Sequence, residues 1–97
     1  MNTEIKKNAQ PLIKYPDKFK VILFNDPFTS FEFVEKVLIK IYNKNLEEAE
    51  IITKNIHKDG SSIAGIYIKE VAISKKQQTD DNSRIYQFPL KTEIESL

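Results

Sequence analysis

The stretch Phe19-Lys-Val-Ile-Leu-Phe-Asn-Asp-Pro-Phe-Thr-Ser-Phe-Glu-Phe-Val34 changes period halfway along, and that change decides the fold. Phe19 to Phe24 is a nearly continuous apolar, β-branched run, which reads as a buried strand. Asn25-Asp26-Pro27 stops it: Asn and Asp bond their own backbone, and Pro cannot donate to a ladder. Thr29 to Glu32 has capping-box spacing, with the Thr29 hydroxyl accepting an amide three residues on and Glu32 reaching back. Apolar residues recur at 33, 34, 37, 38 and 41, so a helix is expected over about residues 30–42.

Working outward, Asn43-Lys44-Asn45 breaks this helix and Asn45 caps a second, with Glu47 and Glu48 favourable in its first turn. Leu46, Ala49, Ile52 and Ile56 form the inner stripe, and Gly60 is a left-handed stop after Asp59. Ser61 to Lys69 alternates as a strand, and Gly65 inside it signals a close backbone approach or a bulge. Glu70 to Lys75 starts a third helix. Its continuation, Lys76 to Ser83, has no apolar stripe, so this helix is expected to fray early or lie exposed. Phe88 to Ile94 is a last strand, with Pro89 placing its start at a sheet edge or end. The order β-α-α-β-α-β gives an α+β fold class: a two-layer domain, a three-stranded antiparallel sheet with helices packed on one face. Residues 1–17, polar and carrying Pro11 and Pro16, read as a flexible arm, and residues 18–97 as one domain.

Composition narrows the function. The 97 residues leave room for one core. A net charge of +1 argues against a nucleic-acid binder that works by neutralising phosphates. The slight excess of Lys lies in residues 1–20, where five Lys face Glu4 and Asp17. Without Cys there is no disulfide and no thiolate zinc site, and the single histidine excludes a His/His metal site. No cofactor is implied, because Gly60 and Gly65 alone cannot build a phosphate-cradling loop. No apolar run approaches the ~20 residues of a membrane span, and the first residues lack the apolar block of a signal peptide. The expectation is a cytoplasmic monomer without membrane contact.

Three features could carry function: the polar turn Asn25-Asp26 between strand and helix, His57 near the end of the second helix, and the set Phe31, Val34, Thr53 and Ile56. Thr53 and His57 are four apart and share a helix face. If the two helices pack side by side, these residues meet as a mostly apolar concavity with a polar lip. Each feature also has a plain structural reading, as a turn, a cation at a helix C-terminus and ordinary core.

At these residues the chain resembles the family of Clp protease adaptor protein S (ClpS). The likeness runs from the hydrophobic strand through Asn25-Asp26, Thr29 and Glu32-Phe-Val34. It continues through Ala49, Ile56-His57, Gly60, Gly65-Ile-Tyr67 and Glu70-Val-Ala-x-x-Lys75 to Pro89-Leu90, without insertions. The resemblance implies a non-enzymatic adaptor that recognises N-degrons, proteins whose exposed first residue is Leu, Phe, Tyr or Trp, and delivers them to a ClpA-type or ClpC-type AAA+ unfoldase. Carried over by position, it implies that Asn25, Asp26 and His57 hold the substrate's α-amino group. It gives Thr29, Phe31, Val34, Thr53, Ile56 and Leu90 to the side-chain pocket, and Glu70 and Lys75 to the unfoldase's N-terminal domain. A free α-amino group is a cation with three donors, and an amide oxygen and a neutral imidazole nitrogen suit it.

The chain also departs from the family. Pro27 stands where many members carry a second Asp, and Phe31 and Thr53 stand where Met is usual. Met is adaptable and Phe is stiff, so the pocket is expected to be displaced rather than closed, with an altered preference among first residues. Three other readings compete: a ribosomal-stalk-like protein-binding module of similar fold, an unfoldase modulator that carries no cargo, and a small enzyme using His57. The last finds no paired carboxylates or nucleophile elbow beside that histidine.

Overall fold

In the computed structural model the described residues are 17–97, so the arm expected at the N-terminus falls, but for Asp17, outside them. The elements run β1 (Lys18–Phe24), α1 (Phe31–Lys40), α2 (Leu46–Asp59), β2 (Ser61–Ile68), α3 (Lys69–Ile85) and β3 (Lys91–Ser96). The fold class is the one the sequence implies. β1 is the central strand of an antiparallel sheet in the order β2-β1-β3. That position gives it a neighbour on each side, and Val21, Ile22 and Leu23 are all buried.

β1 and β2 pair from Lys18↔Ile68 to Val21↔Gly65, and the register then slips so that Ile22 faces Ile63. Ala64 is the extra residue, a bulge. A Cβ on Gly65 beside it would run into the Tyr67 ring, which lies over the bare backbone there and would have to move aside. A bulge and a close approach therefore fall at one place.

The core joins Val21 and Leu23 of β1 to Phe33, Val34, Val37 and Leu38 of α1, Ala49 and Ile56 of α2, Ala64, Ala72 and Leu90. α2 begins as expected, with a reciprocal capping box between Asn45 and Glu48 (2.8 and 2.9 Å). It ends on Gly60 at φ +93°. Asn43, also left-handed at φ 57°, turns the chain between α1 and α2.

The start of α1 differs from the sequence reading. Ser30, not Thr29, is the N-cap, its hydroxyl accepting from the Phe33 amide at 3.1 Å. Thr29 is drawn the other way and donates its hydroxyl to the Asp26 carboxylate, which also accepts the Phe28 amide at 2.8 Å. A tight Asx turn thus competes for Thr29 and shifts the cap by one residue.

The third helix neither frays nor lies exposed: α3 continues to Ile85, with Ala72, Thr79 and Ser83 buried. Its inner face is small and hydroxylic rather than apolar. Thr79 donates to the Lys75 carbonyl (2.8 Å) and Ser83 to the Thr79 carbonyl (2.9 Å), each one turn back on the same helix. Once its proton is used in this way, a hydroxyl residue packs as a small apolar one. The buried Tyr42 hydroxyl lies 2.6 Å from Thr79 Oγ1 and locks α3 to the end of α1. Burial pushes the Tyr42 phenol up to about 12; the Thr79 bond works against this rise, and Tyr67 and Asp80 add to it.

α3 ends with Gln87 left-handed at φ 60°, the Phe88 amide on the Ser83 carbonyl and the Gln87 amide on that of Arg84. This explains the late start of β3, expected at Phe88 and found at Lys91. The Phe88 amide is engaged by the helix end, and Pro89 has none to give.

Candidate functional site

The end of β1, the start of α1 and the middle of α2 converge on one cleft. Phe24, Asn25, Asp26, Thr29, Phe31, Val34, Thr53, Ile56 and Leu90 line it. The concavity the sequence made conditional on packing forms for Phe31, Val34, Thr53 and Ile56: α1 and α2 lie side by side, and residues as far apart in the chain as Phe24 and Leu90 share one cleft, with His57 outside its lining. Phe24 is the lining residue that sequence reasoning missed. Its signal was its place immediately before Asn25, but it reads as the last residue of an apolar strand.

Two contacts hold the polar lip. The Asn25 backbone N–H donates to the Gly60 carbonyl at 2.9 Å, tying the end of β1 to the cap of α2, three residues beyond His57. The His57 ring meets Phe31 edge-on, with centroids 5.2 Å apart and planes at 66°. Asn25 and His57 are both exposed; Asn25 lines the cleft, whereas His57 lies outside the lining and reaches it through Phe31. Asp26 is half-buried, and its two oxygens receive Phe28 and Thr29. It shapes the turn that presents Asn25.

The interior is tight. The cleft has a volume of about 10 Å³, the size of one water. The cleft is narrow as it stands. The reason lies in the side chains: Val34, Thr53, Ile56 and Leu90 are at most 6% exposed, and the rigid ring of Phe31 stands at the mouth on His57. Phe31 is itself 47% exposed, so it is the lining group that can swing outward with the least loss of packing.

Glu70 and Lys75 stand apart from this cleft, on α3. Glu70 is exposed in the first turn. Lys75 is half-buried. Its ammonium donates to the Ile41 carbonyl at 2.6 Å, at the C-terminal end of α1, and sits 5.7 Å from the centroid of the Tyr67 ring. That is a cation at a helix C-terminus, and two of its three donors remain.

A larger concavity of about 290 Å³ opens between α1 and the end of α3, over Phe33, Val37, Tyr86 and Phe88 with Lys36 and Lys40 beside them. Ser30, Glu32 and Asn82 line it too, so both concavities offer acceptors for an amine; the smaller cleft is the one that gathers Asn25, Asp26, Thr29, Phe31, Val34, Thr53, Ile56 and Leu90. Among the described residues no group of His, Asp or Glu could hold a metal ion, and no helix is long and apolar enough to cross a membrane.

Comparison with known proteins agrees over most of the chain. The sequence model of the family described as "ATP-dependent Clp protease adaptor protein ClpS" matches residues 14–93. An ATP-dependent Clp protease adapter protein ClpS of Campylobacter jejuni is 40% identical over 86 residues, covering 89% of this chain and 90% of that protein. Its counterpart in Desulforapulum autotrophicum is 44% identical over 81 residues, covering 84% of this chain and 78% of its own. Among solved structures, Agrobacterium tumefaciens ClpS2 bound to L-phenylalaninamide superposes with a TM-score of 0.82 at 26% identity, over 86% of this chain and all of that one.

Proposed function

This chain belongs to the ClpS family of ATP-dependent Clp protease adaptors, which are not enzymes, and from that premise we propose that it binds proteins by a free N-terminal residue and hands them to a Clp unfoldase. The observation that carries this reading is the cleft itself. An apolar wall of Val34, Ile56 and Leu90 meets Asn25 in one cleft, with His57 against the Phe31 ring beside it. The fold around it is that of a protein which binds L-phenylalaninamide, and this ligand is a free amine beside a phenyl side chain.

In this reading the substrate's ammonium donates to the Asn25 amide oxygen and a neutral ring nitrogen of His57, with Asp26 adding negative charge behind the turn. Pro27 withholds a second carboxylate. Charge-assisted bonds contribute about 1.5–3 kcal/mol each, and burying a Leu or Phe side chain adds about 1.5–3 kcal/mol. These terms total at most about 9 kcal/mol before ordering costs, so micromolar affinity, about −8 kcal/mol, is the ceiling, which suits a carrier that must let go. Entry requires Phe31 to leave the mouth. Glu70 and the free donors of Lys75 are then the docking contacts for the unfoldase, on a face separate from the cargo cleft, in a cytoplasmic monomer.

The test is anisotropy of a dye-labelled decapeptide beginning with Phe or Leu, titrated with the protein. Micromolar binding is expected, lost at least tenfold on N-acetylation and in His57→Ala. The tightness of the cleft favours a second reading, an unfoldase modulator without cargo. No binding of any free N-terminus, with retained binding to the unfoldase, selects it.

A further inference from the structure

We propose that Thr53 makes the cleft selective for a first side chain that carries its own hydrogen-bonding group, above all tyrosine over phenylalanine. The inference rests on the reading of the cleft as an N-terminal residue pocket and names the chemistry that reading leaves open.

The chain buries four serine and threonine side chains among the described residues: Thr53, Thr79, Ser83 and Thr92. Three are satisfied. Thr79 and Ser83 bond carbonyls one turn back, and Thr92 donates to Asp80 at 2.7 Å and accepts from Lys76 at 3.2 Å. Thr53, 2% exposed, is the exception: its Oγ1 is buried and has no partner among the described residues. The Ala49 carbonyl, one turn back on α2, stands where Thr79 and Ser83 find theirs, and Thr53 does not use it. The one unsatisfied hydroxyl is thus also the one in the cleft wall, beside Val34, Ile56 and Leu90.

A buried hydroxyl without a partner is destabilising in the free protein, and a ligand that supplies one recovers that loss on binding. A hydroxyl both donates and accepts. A tyrosine phenol does the same at the end of an otherwise apolar ring, so its body fits the aliphatic wall and its tip answers Thr53. The tryptophan N–H is a donor and answers in part. Phenylalanine and leucine leave Thr53 unpaired. Charged side chains are disfavoured, because the wall offers them no counter-charge. Sites built to bond a substrate hydroxyl discriminate strongly against the analogue that lacks it.

The test uses decapeptides identical except for residue one, which is Tyr, Phe or 4-methylphenylalanine, the last filling the space of tyrosine without its hydrogen bond. The proteins are the wild type, Thr53→Val, which removes the hydroxyl at nearly constant shape, and Thr53→Ser, which keeps it. The wild type is expected to bind the Tyr peptide about tenfold more tightly than either analogue, about 1.4 kcal/mol. Thr53→Ser keeps that ratio and Thr53→Val brings it to one. In the absence of peptide, Thr53→Val is expected to raise the melting temperature. Equal wild-type affinities for Tyr and Phe, a ratio that survives in Thr53→Val, or a melting temperature that falls in that variant overturns the proposal. If the Phe peptide binds and acetylation abolishes binding while the ratio stays at one, selectivity through Thr53 alone fails. If no peptide binds, N-terminus recognition fails with it.

Discussion

At the scale of single residues, the turn 25–30 shows how neighbouring polar side chains divide their work. Asp26, Thr29 and Ser30 can each cap or turn, and they differ in what they find within reach. Asp26 takes the Phe28 amide and the Thr29 hydroxyl, which leaves Ser30 to cap α1. Ser30→Ala is therefore expected to destabilise the protein by about 1 kcal/mol, read as a lower urea midpoint at unchanged slope. A Thr29→Ala change leaves the cap intact and loosens the turn that carries Asn25. The other decisive residue is Phe31. Its ring stands on His57 at the mouth of a cleft of about 10 Å³, so Phe31→Ala is expected to strengthen binding of the bulkiest first residues relative to Leu. Peptides beginning with Trp and Leu, titrated in parallel, check this.

At the scale of elements, α2 and α3 are stopped by different means. Gly60 at φ +93° has open space where a Cβ would go. Gly60→Ala thus meets no clash and suffers from the left-handed backbone alone, an expected loss of about 1 kcal/mol. Gln87 occupies the equivalent left-handed position after α3, and there the same argument runs in reverse: Gln87→Gly is expected to gain about 1 kcal/mol. Paired thermal melts of the two variants check both signs. The inner face of α3 carries a wider lesson. Ala72, Thr79 and Ser83 recur at helical spacing and are buried, but a count of apolar residues sees only the alanine. The pattern was present in the sequence in the form of side chains small enough to pack and able to satisfy themselves on their own helix.

At the scale of the whole molecule, Tyr42 ties α1 to α3 by its hydroxyl and makes stability depend on alkaline pH. Its phenol titrates near 12 when folded, against the ordinary 10. Between those values the unfolded chain has lost the proton and the folded one keeps it, so stability is fully present below pH 10 and falls by about 1.4 kcal/mol per pH unit above it. The difference between wild type and Tyr42→Phe, followed by urea titration from pH 9 to 12, is expected to show a wild-type loss of about 2–3 kcal/mol that the variant lacks. The sequence by itself determined the order of the elements, because period, caps and breakers are local: the apolar run of β1, the Asn45 cap and the Gly60 stop each act within a few residues. It also pointed to Asn25, Val34, Thr53 and Ile56, although their meeting depended on a packing it could not display. Tertiary structure alone decided the rest. Whether Thr29 or Ser30 caps α1 depends on which competing bond closes. The reach of α3 depends on Tyr42 and the core receiving a small polar face. The late start of β3 follows from a helix end that takes the Phe88 amide first. The narrowness of the cleft, and the lone unsatisfied hydroxyl within it, arise where Phe31, Thr53 and Leu90 meet across 59 positions of chain, and no local pattern encodes how much space such a meeting leaves.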